Sequence, residues 1–295
     1  MSPATTAAVL RLACRGSALA RAQAALAGEA LRERAGHDSE LVIVRTGGDR
    51  QPTTPIDEME GQGWFTADIE RTLLGNRADV AVHSAKDLPT TLAAGLDVVA
   101  LLPRADPTDA LVTRNGHGMD SLAAGSTVGS SSARRAALLG AIRPDLLCVP
   151  IRGNVDTRLA KLDRGEVDAL LVASAGLDRL GLSGRVAARL DPRWFVPAPA
   201  QGAIALEAVT DSPAAVVAAD ADHAPTTVTV RCERAVLLAL GGGCLLPLGV
   251  WARLEEGRLV VSAALERDGT LARVELSGDA SRPGELSERV AGALR

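Results

Sequence analysis

Strand-loop-helix units, rather than hairpins, follow one another along most of this 295-residue chain, and that alternation limits its fold more than any other feature. Val9 to Ala13 reads as a strand, Cys-Arg-Gly-Ser as a turn, and Ala18 to Arg34 as a helix that stops at Gly36. Leu41 to Arg45 and Val80 to Val82 read as further strands. After Asp109 the pattern restarts with Ala110 to Thr113, then Thr127 to Gly129 leading into a helix over Ala133 to Ala141. Leu146 to Ile151 is followed by Arg-Gly-Asn, a helix over Val155 to Arg164, and a short apolar strand over Ala169 to Ala173. Such units build α/β domains, and the expected sheets are mostly parallel.

Two proline-rich breaks, LPRADP at 102–107 and VPAPAQG at 196–202, bracket the second group of units. A chain that leaves one lobe and later returns to it needs two such crossings. From about Pro225 the character changes to one helix, a glycine turn and alternating runs such as GRLVVSAAL at 257–265 and VELSG at 274–278, which predict a small α+β domain with an antiparallel sheet. The expected division is 1–104 with 198–222, then 105–197, then 223–295. The stretch 49–63, DRQPTTPIDEMEGQG, is polar, acidic, carries two prolines and has no period, and is expected to form a mobile lid.

Ala235 to Ala252 runs eighteen residues without a charge, long enough for a membrane helix. Its three consecutive glycines and Pro247 argue against one, since Gly costs about 1 kcal/mol and Pro about 3 kcal/mol inside a helix. The expected reading is a helix ending near Leu240, a glycine turn bearing Cys244, and a strand near Leu248 to Arg253.

The net charge of −4 argues against a nucleic-acid partner, because duplex binding draws its affinity from a basic face. The cysteines Cys14, Cys148, Cys232 and Cys244 form no CxxC pair, and the start lacks a basic segment followed by an unbroken apolar run. Free thiols in a reducing cytoplasm and no membrane association are expected. Metal binding is not expected: His37, His83, His117 and His223 are scattered and form no ligand spacing. Hydrolase GxSxG and phosphate-cradling GxxxxGK[ST] or GxGxxG runs are absent.

The arginines carry the functional signal. Arg15 follows the first strand, Arg134 and Arg135 open a helix after three serines, Arg152 follows another strand, Arg158 lies one turn into the next helix, and Arg179 falls in a turn, SAGLDRLG. Single arginines are usually solvated surface residues. Five of these six, however, fall at strand-to-helix junctions, the ends where open α/β sheets bind ligands and where helix N-termini favour anions. Clustered cations there imply a polyanion, and bidentate Arg-carboxylate pairing suits a small molecule rich in carboxylates.

HSAKDLP at 83–89, GSSSARR at 129–135, PIRGNVDTRLAKLDRGEVDA at 150–169, ASAGLDRLG at 173–181, PAQGA at 199–203 and GGGCLLPLG at 241–249 occur in that order. Together they resemble the hydroxymethylbilane synthase, or porphobilinogen deaminase, family, from about Leu10 through Val250. The resemblance implies α/β lobes like those of periplasmic solute-binding proteins, a small α+β C-terminal domain, and a dipyrromethane cofactor attached by a thioether to a loop cysteine. Cys244 matches that cysteine, its glycine neighbours leaving room for a bulky dipyrrole. Lys86, Ser84, Ser131, Ser132, Arg134, Arg135, Arg152 and Gly153 match cofactor-binding positions. Arg15, Ser17, Phe65, Arg158, Arg179 and Gln201 match positions that hold the substrate, porphobilinogen.

The implied reaction joins four porphobilinogens head to tail on the cofactor, losing ammonia each time through an electrophilic methylene-pyrrolenine, before a linear tetrapyrrole is released. Positive charge develops on pyrrole nitrogen, and Asp87 matches the carboxylate that stabilises it and shuttles protons. Two positions depart from the family pattern: Gln62 and Gly47 stand where relatives often carry Lys and a larger or basic residue, which bears on a lid contact and not on the reaction. A monomer is expected. The rival classes are an inactive paralogue and a two-lobed polycarboxylate-binding protein.

Overall fold

The computed structural model describes residues 9–47, 66–243 and 246–295. The described parts of 9–104 and 203–227 form one compact unit, and those of 105–202 and 228–295 a second.

The first unit is built on a five-stranded sheet with strand order β2-β1-β3-β10-β4. Its strands are β1 (Leu10–Arg15), β2 (Ser39–Val44), β3 (Val80–Ser84), β4 (Leu96–Leu101) and β10 (Ile204–Val209). β1 pairs in parallel with β2 and β3, whereas β10 runs antiparallel to β3 and β4. Alternation sends Leu10, Leu12, Cys14, Val80 and Val82 to one face, against α1 (Ala18–Ala35). Ala13 and Ala81 go to the other, against Ile69 and Leu73 of α2 (Ala67–Leu74). Helix α1 begins where the Ser17 hydroxyl accepts the Ala20 N–H at 3.2 Å and stops at Gly36, whose φ of 68° favours glycine.

The second unit repeats the pattern: β7-β6-β8-β5-β9, comprising β5 (Asp109–Thr113), β6 (Thr127–Gly129), β7 (Leu147–Val149), β8 (Ala169–Ala173) and β9 (Ala188–Arg189). Here too β6 pairs in parallel with β7 and β8, and β5 runs antiparallel to β8 and β9. Its helices are α3 (Ala133–Ile142), α4 (Val155–Asp163) and α5 (Ser174–Arg179). The expectation of mostly parallel sheets is therefore corrected, for half of the pairings in each sheet are antiparallel. In both sheets the antiparallel strand is the one that follows a proline-rich crossing, β5 after 102–107 and β10 after 196–202, and it enters against the direction of the βαβ units.

Helices α6 (Pro213–Ala219) and α7 (Ala224–Ala239) come next in the chain. Within the second unit the antiparallel sheet β11 (Leu248–Glu255), β12 (Arg258–Arg267), β13 (Thr270–Asp279) then packs on α8 (Pro283–Ala293). Its core joins Val250, Val261 and Ala263 to Val236, Leu286 and Val290. This is the small α+β part that the alternating runs predict. The lid stretch 49–63, Phe65, Gln62 and Cys244 lie outside the described residues. No helix among the described residues is long and apolar enough to cross a membrane.

Candidate functional site

In the first unit the ends of two adjacent parallel strands, β1 and β3, bring up Arg15, Ser17, Ser84, Lys86 and Asp87. Strand β3 runs straight into a 3-10 turn over Ala85–Asp87. That turn is held from several sides. The Gln23 amide of α1 donates to the Ser84 hydroxyl at 2.8 Å, the Ala85 N–H donates to the Ala203 carbonyl at 3.1 Å, and the Leu88 N–H closes the turn on the Ala85 carbonyl. Asp87 is exposed and Lys86 half-buried. The described residues contain no cluster of His, Cys, Asp and Glu able to hold a metal ion.

In the second unit three of the predicted site residues converge on one that the sequence reading passes over. Asp109, the first residue of β5, is fully buried. Its carboxylate accepts from Arg134 at 2.7 and 3.2 Å and from Arg135 at 2.7 and 2.9 Å. The Gln201 amide, also fully buried, donates to it at 3.1 Å and to the Pro107 carbonyl at 2.8 Å. Arg134 and Arg135 are 4% and 6% exposed and also reach the Val196 and Leu171 carbonyls. Burial alone would push the Asp109 carboxyl up, but the two guanidiniums hold it well below the usual carboxylate range. Arg134 is pulled down by its own burial.

Around this cluster the Ser131 hydroxyl donates to the Ile151 carbonyl at 2.7 Å and accepts the Ile151 N–H at 3.1 Å. Ser132 caps α3, its hydroxyl accepting the Arg135 N–H. Gly153, at φ 111°, makes the turn between Arg152 and α4, and Arg158 donates back to its carbonyl at 2.8 Å. Arg179 does not lie in a turn as predicted: it closes α5, and its guanidinium donates to the Gly202 carbonyl at 2.7 Å. The turn at 200–202 is tight, for a Cβ at Gly202 would meet the Ala105 carbonyl oxygen at 2.6 Å. The Glu233 carboxylate of α7 braces it by accepting the Ala200 N–H at 2.6 Å and the Ala252 N–H at 2.7 Å.

The donor set fits a polycarboxylate group. Two guanidiniums face one carboxylate, which leaves a positive charge in surplus, and Nε of Arg134 is buried without a hydrogen-bond partner. Cys14, Cys148 and Cys232 do not look reactive. Burial pushes all three thiols up, that of Cys232 to about 12 with help from Glu233.

Sequence reasoning missed Asp109, His83, Glu70 and Glu207. One signal for Glu207 was available: it is the single charge in the apolar run GAIALEAV, and a lone charge in a buried strand needs a partner. Asp109 opens such a run in the same way.

The described residues thus form two α/β sheets of one strand order, the second unit continuing into a small α+β C-terminal part, with Arg134 and Arg135 gathered on Asp109 in the second. Residues 10–216 match the family described as porphobilinogen deaminase, dipyromethane cofactor binding domain, and residues 227–295 match the porphobilinogen deaminase C-terminal domain. A porphobilinogen deaminase of Desulforudis audaxviator (strain MP104C) is 44% identical over 281 residues, covering 94% of this chain and 91% of that protein. The chain belongs to the porphobilinogen deaminase family. Among solved structures, a periplasmic substrate-binding protein of an ABC transporter from Coxiella burnetii is 12% identical, with 77% of this chain and 97% of that one covered and a TM-score of 0.45. A nutrient-binding protein from Burkholderia cenocepacia bound to methionine is 10% identical, with 72% and 91% covered and a TM-score of 0.45.

Proposed function

We propose that this chain, a hydroxymethylbilane synthase acting with a dipyrromethane cofactor, carries that cofactor on Cys244 and uses Asp87 as its acid-base carboxylate. Family membership over nearly the whole chain carries the activity. What supports Cys244 is its place in GGGCLLPLG together with the raised thiols of the other three cysteines. When bound, the cofactor supplies the free pyrrole α-carbon onto which porphobilinogen is added.

The chain's own residues then have three tasks. The Asp109 cluster holds Arg134 and Arg135 in place, and Lys86 and Ser84 in the first unit, with Ser131, Ser132, Arg134, Arg135, Arg152 and Gly153 in the second, are the residues assigned to the cofactor's carboxylates. Arg15, Ser17, Arg158 and Arg179 receive the acetate and propionate of each incoming porphobilinogen, Phe65 is assigned to the apolar face of its pyrrole ring, and Gln201 fixes the turn beside Arg179. Asp87, exposed at the end of its turn, accepts and returns protons at pyrrole nitrogen and stabilises the charge that develops there. On this reading the divisions 1–104 with 198–222, 105–197 and 223–295 are the working domains of a cytoplasmic monomer.

Intact mass and porphobilinogen consumption, measured together, test the assignment. Cys244→Ser is expected to carry no adduct, while Cys14→Ser, Cys148→Ser and Cys232→Ser keep it. Asp87→Glu is expected to keep the adduct and bind porphobilinogen but lose about 10²–10⁴-fold in kcat. A dipyrrole mass on Cys244→Ser, or near-normal turnover by Asp87→Ala, overturns the corresponding role.

A further inference from the structure

We propose that His83, Glu207 and Glu70 form a buried acid-base cluster whose members are positioning residues for the turn that presents Lys86 and Asp87. The proposal rests on the assignment of Asp87 to the chemistry. The register of β3 and β10 sets Ala205 opposite His83 and Glu207 opposite Ala81, so the His83 and Glu207 side chains lie diagonally on the same sheet face. They meet at 2.9 Å, Nε2 to Oε2, with side-chain exposures of 5% and 0%. This is the face that Ala13 and Ala81 present to α2, and α2 adds Glu70, itself buried. Oε1 of Glu70 and Oε1 of Glu207 are both buried without a hydrogen-bond partner.

Two carboxylates and one imidazole out of water cannot all keep their usual charges. Burial first, and then the neighbouring Glu207 carboxylate, push the Glu70 carboxyl up, while His83 draws it partly back. Among the described residues the other charged groups on this side are these. Arg15 lies two residues beyond the Ala13–Ala81 pair on β1, as His83 does on β3, and Asp68 of α2 is tied to Arg71. Arg11 and Asp79 pair at the opposite ends of β1 and β3, and β4 sets the uncharged Val98 opposite Glu207.

The connection to the site is short. His83 precedes Ser84, which Gln23 holds from the α1 face, so Glu207 secures the end of β3 from one side and Gln23 from the other. Asp87, itself exposed, follows four residues after His83 at the end of a turn whose position those two anchors set. Misplacement by about 1 Å of a group that must meet a reacting atom can cost on the order of 10²-fold in rate.

The test compares holoenzyme with Glu207→Gln and Glu70→Gln, both close in shape to the residues replaced. Glu207→Gln is expected to keep its adduct mass and its KM for porphobilinogen while kcat falls by about 10²-fold. Glu70→Gln, which cannot ionise, is expected to remove any change in kcat that accompanies Glu70 ionisation as pH rises past the ordinary carboxyl range. Infrared titration of the unsubstituted holoenzyme is expected to show a carboxylic acid band that persists above the ordinary carboxyl range and that Glu70→Gln removes, a readout that stands even where Glu207→Gln does not fold. Unchanged kcat and pH profile in Glu207→Gln, or absence of that band, overturns the proposal. An inert Glu207→Gln beside a crippled Asp87→Glu rejects the positioning role alone and leaves the role of Asp87 standing.

Discussion

The two five-stranded sheets share one strand order, and in each the antiparallel strand that follows a crossing carries a buried carboxylate: Glu207 on β10 and Asp109 on β5. Their partners differ. Glu207 meets His83 near a second acid, Glu70, whereas Asp109 meets the guanidiniums of Arg134 and Arg135. Guanidinium stays charged at every pH a protein meets, so the second sheet holds a fixed surplus of positive charge. Imidazole and carboxyl groups can trade protons, so the charge of the first cluster depends on how many it holds. The fixed cluster stands at the start of the helix that follows β6, and the titratable one at the end of β3 that leads into the turn of Asp87, the proposed acid-base carboxylate.

Truncating the two buried carboxylates should break the symmetry most sharply. Asp109→Ala strands two guanidiniums away from water and is expected to cost about 3–5 kcal/mol of stability. Glu207→Ala leaves a histidine that can go neutral, and the loss is expected to be about 1–3 kcal/mol. Denaturant midpoints measure both, and equal losses would erase the distinction between fixed and titratable partners. Arg134→Leu or Arg135→Leu leaves Asp109 with one guanidinium, so each should unfold later than Asp109→Ala while removing the surplus charge and yielding protein without the dipyrrole adduct.

The pH dependence of stability should have opposite signs in the two sheets. Asp109 has a depressed carboxyl in the folded protein, so its contribution is present above the ordinary carboxylate range and lost as pH falls below it. Glu70 has a raised carboxyl, so its contribution is complete at acid pH and lost as pH rises from the ordinary carboxyl range through its raised value. Melting temperatures across pH should therefore show Glu70→Gln flattening the less acid side and Asp109→Asn flattening the most acid side. The reverse assignment would refute the contrast.

The smallest effect belongs to the helices that follow β1 and β6. Ser17 caps α1 and Ser132 caps α3, and each Ser→Ala is expected to cost about 1 kcal/mol by thermal or denaturant unfolding. Where a serine also meets a carboxylate, its variant should raise the KM for porphobilinogen or lose the adduct as well. A change in stability alone reduces that serine to a cap.

Much of the local structure was legible in the sequence. The strands over Thr127–Gly129 and Ala169–Ala173 stand where the apolar runs put them, and α1 ends at the glycine that marks its stop. Periodicity and capping are local, so residues within a turn of one another encode them. The direction of β5 and β10 is not local, because it depends on which way the chain enters after a crossing. The candidate site divides in the same way. Its arginines were legible because they sit at junctions between local elements, but what they face was not. Arg134 and Arg135 face an aspartate 25 and 26 residues away, and His83 meets a glutamate 124 residues further along the chain. By itself the sequence determined the alternating units, their stops and the family motifs. Only the tertiary structure decided which charges left water together, because the cost of burying a charge is set by the partner that folding brings to it, not by its neighbours in the chain.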